Sequence, residues 1–355
     1  MSQPFYTIGI TTYNRHDLLR ETLNSVLSQS FADFEIIVGN DYQAEVLTCE
    51  ILGISDPRIR IVNYPRNLRE VGNMNALQEM AAGRYFTWLF DDDLYEPDFL
   101  QTSHNVLEKT DFPPALFSSF RMMKVGEEFQ PRKISYSTTL EFTGREFLHW
   151  YSADRPQIAA TCGLFDTIAL RSIVGRYEEL SPSAVGLYSE FLLLVKCALL
   201  GRIVYIDAPY YVFRRHAESY SESNLDLENH LVAGRELIRR SAEVLRHPAI
   251  AADYSDSLMK ICCIHIITFA YKSARIEYAQ KKFGAGAAYR ALSRHWQEVL
   301  HTRDLFIYQG GENNFRTRLA LLKLNLFCNY IIIRLLAHHF FKSFKYTWRI
   351  FLKHK

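Results

Sequence analysis

Over the first 110 residues, short apolar runs alternate with segments whose apolar positions recur every three or four residues, the pattern of strands alternating with amphipathic helices. Tyr6–Thr12 is rich in strand formers. Behind it, Leu18, Leu19, Leu23, Val26 and Leu27 keep helical spacing, with Asp17 placed as a cap. Phe34–Val38 predicts a second strand and Ile59–Tyr64 a third. A helix through Met74, Leu77 and Met80 stops at Gly83. The apolar run Tyr85–Phe90 then reads as a short buried strand. It ends abruptly at Asp91, Asp92 and Asp93, and Pro97 offers the next helix start. This rhythm predicts a mostly parallel sheet with right-handed crossovers, covered by helices.

Further along, Ala115–Met123 and Thr161–Leu170 read as strands, and an apolar helix opens at Ser189 and Glu190. Beyond about Asn224 the pattern turns helical, over Leu225–Leu245, Leu258–Tyr271 and Phe315–Leu352. The chain therefore divides into an α/β domain, 1–223, and a helical region, 224–355. Ala320–Leu336 is interrupted by Lys323, Asn325, Asn329 and Arg334, which argues against a membrane span. At the end, His338, Lys342, Lys345, Arg349 and Lys353 fall on one stripe beside Phe341, Phe344, Trp348 and Leu352. Such a basic amphipathic helix suits either an anionic membrane surface or a protein surface, its own domain's or a partner subunit's.

Composition narrows the class. In 355 residues, 41 Lys and Arg stand against 39 Asp and Glu, a formal net charge of +2, which argues against bulk nucleic-acid binding. The six cysteines form no CxxC pair, so reduced thiols and a cytoplasmic setting are expected. The first strand begins within a few residues, with no charged-then-apolar leader before it. No GxGxxG and no P-loop is present, so dinucleotide and ATPase readings lack a phosphate cradle.

The chemistry concentrates where the strand Tyr85–Phe90 leaves the core, at the edge where open α/β sheets bind ligands. Three adjacent carboxylates there fit either a solvated loop or a hard divalent cation. Four stretches widen the picture: ITTYN at Ile10–Asn14, EIIVGND at Glu35–Asp41, the run from Asn67 through Asn75 to Gly83 leading into the acids, and SEFLLLVKCALLG at Ser189–Gly201 followed by YYVFRRH at Tyr210–His216. In this order they resemble the inverting nucleotide-sugar glycosyltransferases of family 2.

The resemblance implies the GT-A fold, a Rossmann-like, mostly parallel sheet flanked by helices, with a nucleotide-sugar half at about 1–110 and an acceptor half at about 111–223. By position it implies that Thr11, Tyr13, Asp41, Arg69 and Asp91 bind the nucleotide sugar. A tyrosine ring offers a stacking face and a carboxylate accepts ribose or base protons. It implies Asp92 and Asp91 as ligands of Mn²⁺ or Mg²⁺, with His216 as a further ligand or diphosphate contact, Arg214 or Arg215 near phosphate, and Asp93 as a structural neighbour. Glu190 falls where the family carries its catalytic base. Trp150 and Tyr151 are either sugar-stacking or core residues. Three positions depart from the family pattern: Asn40 and Ser189 replace acids, and Phe90 stands where the metal motif begins. Met74 also occupies an often basic position.

The implied function is metal-dependent transfer from a nucleoside-diphosphate sugar to a hydroxyl of a glycan or glycolipid in bacterial surface polysaccharide assembly, on the inner face of the membrane, with a homo-oligomer open. The alternatives are a catalytically inactive nucleotide-sugar-binding subunit and a sugar-phosphate nucleotidyltransferase. The latter would want a glycine-rich basic loop that ITTYNR lacks.

Overall fold

The structure is a computed structural model that describes residues 3–135, 138–154, 156–215, 226–279 and 285–353; from 343 onward it describes the helix path and not the side chains. The chain divides into two compact units, Met1–Asn224 and Leu225–Lys355.

The first unit is built on nine strands: β1 Tyr6–Thr12, β2 Phe34–Asn40, β3 Ile59–Asn63, β4 Tyr85–Phe90, β5 Leu94–Tyr95, β6 Ala115–Lys124, β7 Thr139–Phe142, β8 Gly163–Asp166 and β9 Ile203–Arg215. They form one sheet in the order β3-β2-β1-β4-β8-β6-β9-β5, with β7 also paired to β9. The first four strands are parallel, as the alternation predicts. Past β4 the sheet is mixed, since β8 runs antiparallel to both β4 and β6, and β9 is antiparallel to β5 and β7. The expected strand at Thr161–Leu170 shrinks to the four residues of β8. Asp166 then accepts hydrogen bonds from the amides of Ile168 and Ala169 and turns the chain into a short helical segment.

Among the described residues, five helices of two turns or more flank the sheet: α1 His16–Leu27, α2 Arg69–Met80, α3 Phe99–Lys109, α4 Gly144–Asp154 and α5 Ser189–Lys196. Alternation along the strands gives each face its own core. Ile8, Ile10, Ile36, Val38 and Leu89 pack with Leu19, Leu23 and Val26 of α1 on one face. Phe86 and Trp88 of β4 pack with Val71, Met74 and Leu77 of α2 on the other. Met74 is thus core, and its carbonyl accepts the Trp88 indole N–H at 2.9 Å. Trp150 and Tyr151 lie on α4 against this second core, with Trp150 stacked on Phe142 at 5.0 Å. That places them in packing.

The second unit comprises α6 Leu227–Leu245, α7 Tyr254–Ala279, α8 Ala285–Gly310 and α9 Phe315–Lys353. Its interior holds a polar knot. Glu298 of α8 accepts from Arg235 of α6 at 2.7 Å and pairs with His265 of α7 at 2.9 Å. Burial pushes the Glu298 carboxyl up, but these two partners outweigh it and hold it below the usual range. α8 was missing from the sequence expectation, because its apolar residues are spaced among many charges. α9 also differs from expectation. Phe315–Lys342 is long and apolar enough, by length and composition, to cross a membrane.

Candidate active site

Parallel pairing brings the carboxyl ends of β1, β2 and β4 level, with Thr11 opposite both Gly39 and Phe90. The residues following these strands therefore meet at one edge. Asp91 is buried there. Its Oδ2 accepts from the Thr12 hydroxyl at 2.8 Å and the Tyr13 amide at 3.4 Å, and its Oδ1 accepts from Arg15 at 3.2 Å. The same guanidinium nitrogen reaches Asp92 at 3.2 Å. Burial and the neighbouring Asp92 charge push the Asp91 carboxyl up to about 6, against the pull of Arg15, Thr12 and the Tyr13 amide.

Asp93 has a different job. It is buried, accepts from the Tyr211 hydroxyl at 2.6 Å and the Arg214 amide at 2.8 Å, and burial raises it well above the ordinary carboxylate range. Arg214 is itself 2% exposed and binds the Asp92 carbonyl, Glu21 and the Leu18 carbonyl. It clamps the acidic turn from beneath, so the expected phosphate contact through Arg214 is not what the structure gives it. Thr22 adds a second clamp, donating to the carbonyls of Asp91 and Asp93 at 2.8 and 2.9 Å. Of the three acids, Asp92 is the one whose side chain reaches solvent, at 16% exposure.

Around this edge, Tyr13 is 52% exposed and meets Tyr42 edge to face at 5.2 Å. Two aromatic rings thus line the opening beside the acids. Asp41 is buried and accepts from the Leu68 amide at 2.7 Å, and from the Arg69 amide, at the start of α2. Burial nonetheless raises its pKa. In this conformation Asp41 is a helix cap, a role the sequence reading did not give it. Gly39 permits the approach of α2: a Cβ there would lie 2.1 Å from Asn73 Oδ1. Asn40 explains its departure from the family acid. Its side chain bonds Asn63 Oδ1 at 2.7 Å and the Tyr42 amide at 3.1 Å, shaping the loop that carries Tyr42. Phe90 packs against the second core cluster.

Arg69 adopts a left-handed conformation (φ 59°) and points away from Asp41, to Glu179 at 3.1 Å and the Ser183 carbonyl at 3.3 Å. Asn75 bonds the Tyr177 backbone at both carbonyl (3.0 Å) and amide (2.9 Å). α2 thereby holds the segment leading to α5, where Glu190 sits. Glu190 Oε1 accepts from the Ala160 amide at 2.5 Å, burial raises its carboxyl to about 6, and the Ala160 and Thr161 amides oppose that rise. Ser189 is buried and donates to the Glu178 carbonyl at 2.6 Å, a packing role in place of the family acid.

One acid was missed. Glu70, on the first turn of α2, accepts from the Gly186 amide at 3.3 Å. Burial, then the charges of Glu190 and Asp92, push it up to about 7, against the Gly186 amide and Arg15. Glu70 lies inside the Asn67–Asn75 stretch and Arg15 directly follows ITTYN, so both were flanked by signals that did not single them out. The structure therefore brings Thr11, Tyr13, Asp41, Asp91 and Asp92 from the sequence reading to one sheet edge, adds Arg15 and Glu70, and places Glu190 within electrostatic reach of Glu70. His216 lies outside the described residues.

The donor set fits a hard divalent cation. Asp91 and Asp92 share the Arg15 guanidinium, and the charge of Asp92 adds to the burial that raises both Asp91 and Glu70. Asp92 and the Asp91 oxygen now bonded to Arg15 are the groups that would hold such an ion.

A mixed sheet whose first four strands are parallel, with acids at the carboxyl ends of β2 and β4 and helices on both faces, is of the GT-A class. The sequence profile of glycosyl transferase family 2 matches residues 7–163, within the N-terminal unit. Over 148 residues the chain is 24% identical to the Escherichia coli UDP-Glc:alpha-D-GlcNAc-diphosphoundecaprenol beta-1,3-glucosyltransferase WfgD, across 41% of this chain and 58% of that protein. It is 31% identical over 108 residues to the succinoglycan biosynthesis protein ExoO of Rhizobium meliloti, 30% of each chain. The chain spans between about a third and rather more than half of such curated relatives. In three dimensions it is similar to S. aureus TarS 1–349 in complex with UDP-GlcNAc, with a TM-score of 0.59 at 16% identity, covering 90% of this chain and 91% of that one. That likeness is one of fold.

Proposed function

We propose that this chain transfers a sugar from a nucleoside-diphosphate donor to a hydroxyl of a glycan or lipid-linked glycan, with inversion, in surface polysaccharide or glycolipid assembly at the cytoplasmic face of a membrane. The observation that supports the reading is that a solvent-reaching carboxylate at the β4 edge, Asp92, and a carboxylate raised to about 6, Glu190, both bear electrostatically on Glu70. WfgD and ExoO, by their names, belong to glycolipid and polysaccharide synthesis, which supports the setting.

In this mechanism Tyr13 and Tyr42 stack on the base, and Asp91 and Asp92 face the ribose and diphosphate. A bound Mn²⁺ or Mg²⁺ supplies charge neutralisation for the departing nucleoside diphosphate. Glu190 accepts the proton of the acceptor hydroxyl as its oxygen forms the bond to the anomeric carbon, from the face opposite the breaking C–O bond to phosphate. A pKa near 6 leaves Glu190 ionised at neutral pH yet basic enough to take that proton.

The test is a thermal-shift screen of nucleoside-diphosphate sugars with and without Mn²⁺. The donor raises Tm by mass action only with the ion present, and Asp92→Ala abolishes the shift. Equal shifts in the wild type and Asp92→Ala would overturn the assignment of Asp92.

A further inference from the structure

The C-terminal unit carries a second constellation of ligand-type side chains that the transfer chemistry does not use. Glu277 near the end of α7, His295 in α8 and His339 in α9 place one ligand atom each within 4.8 Å of the others. We propose that these three residues form a binding site for a transition-metal ion of the Zn²⁺ class, which pins three helices of this unit together.

Several observations converge on it. His295 is 2% exposed, and its Nε2 lies 3.4 Å from Glu277 Oε1. The Nε2 edge of the ring, and not the buried Nδ1, is therefore the one that faces the cluster. The His295 and His339 rings face each other with centroids 6.3 Å apart.

The spacing fits a tetrahedral ion after a small movement. Bonds of about 2.0–2.1 Å put neighbouring ligand atoms roughly 3.3–3.4 Å apart. The Glu277–His295 pair already has that separation. The widest spacing needs to close by at most about 1.4 Å, within reach of Glu277 and His339, both only half-buried. Two imidazoles and one carboxylate select a Zn²⁺-like ion, whereas the acids at the β4 edge are an all-oxygen set suited to Mg²⁺ or Mn²⁺. His338 and Lys342 flank His339, and the Lys342 charge opposes a dication. The carboxylate of Glu277 is therefore the ligand on which affinity most depends.

The experiment uses the untagged full chain, stripped with a chelator and titrated with Co²⁺ while visible absorption is read, then competed with Zn²⁺. The wild type binds a single equivalent with tetrahedral Co²⁺ bands. His339→Ala and Glu277→Gln each weaken Zn²⁺ by about 100-fold or more, at least the 10–100-fold loss typical of removing an outer partner of a metal ligand. Both variants keep the wild-type far-UV circular dichroism, because the buried His295 is left in place. Asp92→Ala binds Co²⁺ as the wild type does. Absence of stoichiometric binding at micromolar metal would overturn the proposal. So would wild-type affinity in His339→Ala and Glu277→Gln, or bands that vanish in Asp92→Ala alone.

Discussion

Glu190→Gln is the substitution that separates the chemistry from the scaffold. Glutamine keeps the shape and one oxygen to accept the Ala160 amide, now bonded at 2.5 Å, but it cannot take a proton. Nucleotide-sugar binding should therefore persist while transfer falls by about 10²–10⁴-fold, the usual worth of a general base. The pH profile makes the test sharper. Burial raises Glu190 to about 6, so the wild-type rate should climb with pH through that value. At pH 5 roughly a tenth of the carboxylate remains ionised, and the rate should be down about tenfold from its plateau. Asp91 titrates near the same pH and Glu70 near 7, so a limb at 6 is not diagnostic alone. The assay is a comparison of kcat/KM against pH for the wild type, Glu190→Gln and Glu70→Gln at saturating cation. Glu190→Gln should be slow and have lost its limb near 6, whereas Glu70→Gln should keep that limb. A Glu190→Gln enzyme within about threefold of the wild type, or one retaining the limb at full depth, would refute Glu190 as base.

Three further outcomes follow from the same structure. Glu70 is raised in the folded state, so its contribution to stability is present at low pH and is lost as pH rises through about 7; Glu70→Gln should stabilise the protein at pH 8 by at most about 3 kcal/mol and leave it unchanged near pH 4, read by urea denaturation at both pH values. Tyr211→Phe removes the 2.6 Å hydrogen bond to Asp93 beneath the acidic turn and should cost about 1–3 kcal/mol together with weakened donor binding, an account that a wild-type urea midpoint would contradict. Replacing Lys342, Lys345, Arg349 and Lys353 by glutamine should release the chain from anionic vesicles at low salt, since each charge near such a surface contributes about 1 kcal/mol; salt-resistant retention of that variant would instead favour a span through Phe315–Lys342.

How far the sequence could be read depended on the range of the interactions. Strands β1 to β4 and helices α1 and α2 were legible because alternation and helical spacing are local, and Gly83 marks the stop before β4. The convergence of Tyr13, Asp41 and Asp92 followed from parallel strands ending at one edge. Partners distant in sequence were not legible. Arg214 looked free for phosphate, yet it clamps a turn more than 120 positions earlier through the Asp92 carbonyl. Arg69 has a left-handed backbone, and its side chain pairs with Glu179, a partner 110 positions away. Asp41 caps α2 because Gly39 lets that helix come close. β5 and β7 are too short for any periodic signal. Glu70 needed the fold, since its shift comes from burial and from the charges of Glu190, 120 residues away, and Asp92.

The most direct test of the central claim is the anomeric configuration of the product, followed by NMR on purified full-length protein with a nucleoside-diphosphate sugar identified by the thermal-shift screen, a lipid-linked acceptor and Mn²⁺. The account predicts release of the nucleoside diphosphate, a glycosidic bond of inverted configuration, and no product with a chelator or with Asp92→Ala. Retention of configuration, or undiminished transfer by Asp92→Ala, would contradict it.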